Sequence, residues 1–322
     1  MKLLLLRGRV PIDRPRSEIK YSTIEECDDI YTLMAYHLAD EVEVWYWGGD
    51  RVRKYGHMTE RWIPNFKKVK SDFKPDVIWA RGGFDEYRTV LKRYPDAFKI
   101  FYAAGRGSKH VPNDGIDYGL VLADTPVQLA DIQDHGFNGA LWTKPAAPMI
   151  KPKKTKKKYD ICYIANAGQA KIKNLRWVYE TAPRDLKILH LGFPNSLKVP
   201  KNVTQKRVLR SEIASEISKC KIGIIPYRKI DSAPRAMVEM MACGLQIVVM
   251  QGVKFWQDMY FPEKNMGHVT NMSTFWFRVK NVLEKGQVPD ISKYYEEKLS
   301  MIPSANRLRG LIDGQGKCAS TL

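Results

Sequence analysis

The chain has 322 residues, enough for two domains of ordinary size, and its 44% hydrophobic and 11% aromatic content supports packed cores and excludes a disordered polymer. No apolar run reaches the roughly 18 charge-free residues of a membrane-spanning helix, and Arg7 and Arg9 interrupt the leucines of MKLLLLRGRV too early for a signal peptide, so a buried first strand is expected there. The net charge of +18 is uneven: residues 1–150 hold 22 Lys/Arg against 21 Asp/Glu and residues 151–322 hold 31 against 14, which points the second half toward a polyanionic or phosphorylated partner.

Two alternating strand–helix series follow in chain order. KLLLLRG predicts a strand and IEECDDIYTLMAYHLAD a helix with acids in its first turn; VEVWYWGG and PDVIWARGG predict two strands, followed by the helix DEYRTVLKRYPD. FKIFYAAG, YGLVLAD, the helix TPVQLADIQDHG and ALWTKPAAP complete the first series. MIKPKKTKKKYD, with six lysines between Lys151 and Lys158, reads as a solvated linker, with a phosphate- or membrane-contacting patch as the alternative. The second series runs from YDICYIAN and IKNLRWVYETAP through LKILHLG, SEIASEISKC, KIGIIPY and a short helix within DSAPRAMVEMMACG to LQIVVM; the last part reads as helices and a frayed tail. Short apolar strands with helices between them predict parallel sheets covered on both faces. The expected fold is α/β, with two Rossmann-like domains facing across a cleft: residues 1–148, a linker at 149–158, residues 159–288, and C-terminal helices at 289–322 crossing back. Ligands of such sheets bind outside the carboxyl ends of the strands.

The common chemical motifs are missing. The sequence contains no G-x-G-x-x-G, no P-loop and no G-x-S-x-G elbow, its six histidines fall in no metal-ligand spacing, and no Asp-x-Asp is present, so no metal or cofactor is expected. Cys27, Cys162, Cys220, Cys243 and Cys318 are scattered, without a C-x-x-C pair, which suits a reducing, cytoplasmic compartment.

One stretch stands out. DSAPRAMVEMMACGLQIVV places Asp231 eight residues before Glu239, and Glu239 falls on the apolar stripe of the short helix, where an unpartnered carboxylate is costly. Two acids eight apart, the second opening a Glu-Met-Met-Ala-Cys-Gly helix before an apolar strand, resemble the donor-site signature of retaining GT-B glycosyltransferases, in particular glycosyltransferase family 4. The resemblance implies metal-independent transfer of a hexosyl or pentosyl group from a nucleotide-diphosphate sugar, with Glu239 on the ribose and Asp231 on the transferred sugar. Between them Ser232, Ala233, Pro234 and Arg235 lead into a helix N-terminus, which favours the diphosphate. The family's phosphate-binding Lys falls on Lys171, with Lys173 in reserve, and its Arg position on Asn166, a departure that Arg228 or Arg235 could offset. Gly8, after the first strand, would allow close approach of the donor.

On the acceptor side the family's histidine is missing, leaving Arg106 and His110 as candidates. Residues 51–74 interleave basic side chains, among them Arg61, Lys67 and Lys68, with aromatics such as Trp62. That pattern suits nucleic acid, an anionic membrane surface, or a connection whose aromatics pack inward. Two acceptors remain open, a hydroxylated base in duplex DNA and a membrane-associated lipid or envelope glycan, with DNA slightly preferred. A non-catalytic nucleic-acid-binding protein on the same scaffold is the alternative of another class.

Overall fold

The computed structural model describes residues 1–9, 23–27, 29–69, 71–82, 85–103, 107–166, 171, 173–192, 197–227, 234–250, 267–286 and 291–314. Two compact units emerge: residues 1–143 joined by the segment from Met301 onward, and residues 144–300.

Unit one is built on an eight-stranded sheet among the described residues. Its strands are β1 (Lys2–Arg9), β2 (Glu41–Trp47), β3 (Arg51–Tyr55), β4 (Met58–Ile63), β5 (Val77–Arg81), β6 (Phe98–Tyr102), β7 (Leu120–Ala123) and β8 (Gly139–Leu141). Their order is β3-β4-β2-β1-β5-β6-β7-β8, with β3 antiparallel to β4 and every other pair parallel. Leu3 to Leu6 are all fully buried, because β1 lies mid-sheet and both of its faces are covered. Helices α1 (Ile30–Leu38), α2 (Asp85–Arg93) and α3 (Pro126–Asp134) follow β1, β5 and β7. Thr125 caps α3 by accepting from the Gln128 N–H at 3.2 Å, with Pro126 at the first helical position. Helix α1 begins later than its sequence pattern: Ile24–Glu26 form a separate single turn, and Asp29, at the N-cap position, directs its side chain to Arg7.

The basic, aromatic stretch 51–74 contains a hairpin that sequence patterning did not reveal. Charged residues on the edge strand β3 hide its alternation while blunting the edge against further pairing. Its aromatics pack inward: Phe66 is fully buried, Phe73 nearly so, and Trp62 stacks on Tyr46 with centroids 5.0 Å apart.

Unit two carries a six-stranded, all-parallel sheet among the described residues, ordered β11-β10-β9-β12-β13-β14. The strands are β9 (Tyr159–Ile164), β10 (Ile188–Leu191), β11 (Val203–Lys206), β12 (Cys220–Ile225), β13 (Gln246–Met250) and β14 (Gly267–Thr270). Its helices are α4 (Leu175–Thr181), α5 (Ile213–Ser218), α6 (Arg235–Ala242), α7 (Phe275–Lys285) and α8 (Ile291–Tyr294). The lysine-rich segment lies along this unit: the Lys153 N–H donates to Ser218 Oγ at 3.0 Å and Lys157 Nζ to the Cys220 carbonyl at 2.6 Å. The boundary therefore falls at residue 143, ahead of the expected linker. Residues 291–299 stay with unit two, where the Tyr295 hydroxyl accepts from the Ala146 N–H at 2.8 Å. Among the described residues only the last helix, α9 (Met301–Asp313), returns to unit one, where it packs on α1 and Arg309 Nη1 donates to the Leu38 carbonyl at 2.8 Å. Among the described residues no helix is long and apolar enough to cross a membrane.

Candidate active site

The site in unit two is organised by α6, which follows β12. No side chain caps its N-terminus, where Pro234 occupies the N-cap position, and Gly244, at φ +78°, turns the chain out of the helix toward β13. Gly223 lets α6 lie close to the sheet, because a Cβ there would come within 2.6 Å of Met240 Sδ. That seating leaves Glu239 only 3% exposed.

The buried carboxylate is paired. Arg210, just before α5, brings Nη2 to 2.7 Å from Glu239 Oε1, and Arg235 Nε lies 3.4 Å from the same oxygen. Neither contact is aligned as a hydrogen bond, so Arg210 Nη2 and Glu239 Oε1 are both buried without one. The charge is compensated by ion pairing in a geometry that leaves Oε1 without an aligned donor.

Lys173 belongs to the same cluster. Its Nζ sits 5.5 Å from the centroid of the Tyr227 ring, and the Tyr227 hydroxyl donates to the Ile164 carbonyl at 3.0 Å, at the carboxyl end of β9. Tyr163 fixes the loop by donating to the Lys173 carbonyl at 2.7 Å. Burial, seconded by the Arg235 charge and opposed by Glu239, pulls the Lys173 ammonium from its ordinary 10.5 down to about 8. Lys173 thus feels the charges of both Glu239 and Arg235. Lys171 and Asn166 are both exposed. Arg228, Asp231, Ser232 and Ala233 lie outside the described residues. Arg210 and Tyr227 were missed from sequence: an arginine in a connection carries no signal until its neighbour in space is known.

In unit one, Gly8 sits where the β1–β2 register shifts, between Arg7 and Arg9. Arg61 is held by Glu43, donating from Nη2 at 3.0 Å and Nε at 3.1 Å. Trp62, between Tyr46 and the Arg53 guanidinium 5.3 Å from its centroid, is buried and leaves no ring face for a base. Lys67 and Lys68 are exposed in the turn after β4, and Lys67 lines a cavity of about 360 Å³ with Trp47, Pro64, Asn65, Asp85 and Glu86. His110 ends the single turn Gly107–His110, half-buried, while Arg106 lies outside the described residues.

No protein-family model and no curated protein sequence matches the chain. Solved structures do. Sucrose-phosphate synthase from Thermosynechococcus elongatus matches at a TM-score of 0.69 with 11% identity, over 98% of this chain and 99% of that one. WaaG, a glycosyltransferase involved in lipopolysaccharide biosynthesis, matches at 0.59 with 13% identity, over 98% and 100%. The T4 phage BGT structure, in complex with its UDP-glucose substrate, matches at 0.51 with 13% identity, over 98% and 97%. The chain has the GT-B fold: two parallel-sheet α/β units and a C-terminal helix that returns to the first.

Proposed function

We propose that the protein is a glycosyltransferase that moves a sugar from a nucleotide-diphosphate sugar to an acceptor hydroxyl, with retention of configuration and without a metal ion. The observation that carries this reading is the buried Glu239 carboxylate, ion-paired by Arg210 and Arg235 yet with Oε1 unsatisfied. Ribose hydroxyls supply the missing donors. The leaving diphosphate gains charge as the glycosidic bond breaks, and the cations Lys173 and Arg235 with the α6 N-terminus stabilise it. Asp231 holds the hydroxyls of the transferred sugar in this reading, and Lys171 is the second candidate for the phosphate. UDP-glucose, the substrate of the T4 phage structure, is the first donor to try.

Two acceptors are proposed, each on its own observation. Duplex DNA with a hydroxylated base is supported by the net charge of +18. A membrane-associated lipid or envelope glycan is supported by the cavity beside Trp47, whose Asp85 and Glu86 accept from sugar hydroxyls while Lys67 donates to them. The test offers a panel of nucleotide sugars together with hydroxymethylated duplex DNA, unmodified DNA or lipid-linked glycans, and weighs the products. A sugar-sized mass gain on one acceptor is expected. No gain and no nucleotide release from any donor would sink the proposal.

A further inference from the structure

Four side chains stand abreast at the carboxyl end of the unit-one sheet. Tyr46 on β2, Arg7 on β1, Arg81 on β5 and Tyr102 on β6 occupy matching register positions, so all four emerge on the same face. Like charges on neighbouring strands repel, and here two arginines sit side by side at the end of the sheet where ligands bind.

Asp29 accepts from Arg7 Nε at 3.1 Å and Nη2 at 2.9 Å and from the Thr32 hydroxyl at 2.8 Å, and its charge, with the Tyr31 side chain, also favours the Arg81 cation. The Tyr31 ring lies under both guanidiniums, 4.7 Å from Arg7 and 4.2 Å from Arg81. Among the described residues, two further acids face tyrosines: Glu60 accepts from the Tyr46 hydroxyl at 2.9 Å, and Asp124 from the Tyr102 hydroxyl at 2.7 Å. Two buried donors remain. Arg7, only 7% exposed, has no partner for Nη1, and Arg81 has none for Nε. A buried guanidinium N–H without an acceptor is costly, and contact with a ring face does not replace the missing acceptor.

We propose that Arg7 and Arg81 form a binding site for a phosphoryl group, with Arg7 Nη1 and Arg81 Nε donating to its oxygens above Tyr31. A single guanidinium saturates a planar carboxylate in a fork; donors arriving from two strands suit an oxyanion with three free oxygens. Arg7 is too deeply buried for the backbone of a DNA duplex to reach, so the group belongs to a small ester or a lipid headgroup. Only the further statement that this phosphoryl group marks the acceptor rests on the proposed glycosyl transfer.

Calorimetric titration of the whole chain with inorganic phosphate at fixed ionic strength tests the site, with Arg81→Gln against it and the exposed Lys201→Gln in unit two as the control. Binding to the wild type is expected, weakened at least tenfold by Arg81→Gln and unchanged by Lys201→Gln. No binding, equal binding in Arg81→Gln, or an equal loss in Lys201→Gln overturns the proposal. Should Arg81→Gln fail to fold, the Nε–H resonance of Arg81 in the wild type decides: a shift on adding phosphate supports the site and a static resonance refutes it. Displacement of phosphate by glycerol 3-phosphate assigns a soluble ester. Displacement by phosphatidylcholine vesicles containing phosphatidic acid assigns a lipid, and displacement by neither contradicts the site. Nucleotide release from UDP-glucose by the same samples reads the glycosyl-transfer reading separately.

Discussion

Glu239 combines two features that usually conflict: its buried charge is paired by Arg210, yet that contact is not aligned as a hydrogen bond. Removing either partner alone leaves a buried charge behind, and Arg210→Met is expected to cost about 3–5 kcal/mol in a denaturant titration. The double variant Arg210→Met/Glu239→Leu should recover most of that stability while failing to bind a nucleotide sugar. Equal binding by wild type and double variant would separate Glu239 from the ligand. Lys173 supplies a pH handle. Its ammonium titrates at about 8 in the folded chain, so it is charged at neutral pH and loses its charge as pH rises through that value. Affinity for a nucleoside diphosphate should fall above that pH. Lys173→Arg should flatten the profile, and Lys173→Gln should be weak throughout.

At the scale of elements, the strand ends of unit two depend on close approaches that only glycine permits. A Cβ on Gly192, just past β10, would lie 1.8 Å from the Ala165 carbonyl oxygen at the end of β9. Gly192→Ala should destabilise the chain by about 1–3 kcal/mol and weaken donor binding, with the shift in denaturation midpoint as the readout. His190 locks the same pair of strands. Its Nδ1 accepts from the Tyr179 hydroxyl at 2.6 Å and its Nε2 donates to the Ala165 carbonyl at 2.8 Å, and burial holds its pKa below the ordinary 6.5. As pH falls through that ordinary value, the unfolded chain takes up a proton that the folded chain refuses, so stability declines. His190→Gln should flatten this decline; His268, likewise lowered by burial, titrates in both chains and cancels in the difference.

Most of these elements could be read from sequence because parallel strands buried on both faces are continuous apolar runs, as in Leu3 to Leu6 and in residues 247–250. The β3–β4 hairpin could not, because its exposed face is charged and the run of Arg and Lys resembles a ligand surface as much as an edge strand. Within the site, Glu239 was legible as an acid on an apolar stripe. Arg210, some thirty residues away, was not, since its role exists only through a contact in space; the same holds for the Arg7–Arg81 pair, which register alone brings together.

For the whole molecule, the return of α9 ties the chain's far end to the first unit. Leu308 is fully buried there, and Arg309 reaches the end of α1. Leu308→Asp is expected to raise hydrogen exchange across α1 and β1 while leaving β9 and β12 protected; uniform loss of protection in both units would contradict the division at residue 143.

The central claim is that Glu239 belongs to a nucleotide-sugar site. Its most direct test is the release of nucleoside diphosphate from a panel of nucleotide sugars by wild type and Glu239→Ala, each confirmed folded by circular dichroism. The account predicts slow release from at least one donor by the wild type and loss of at least a hundredfold in the variant. Release at the same rate by both, or by neither from any donor, would contradict it.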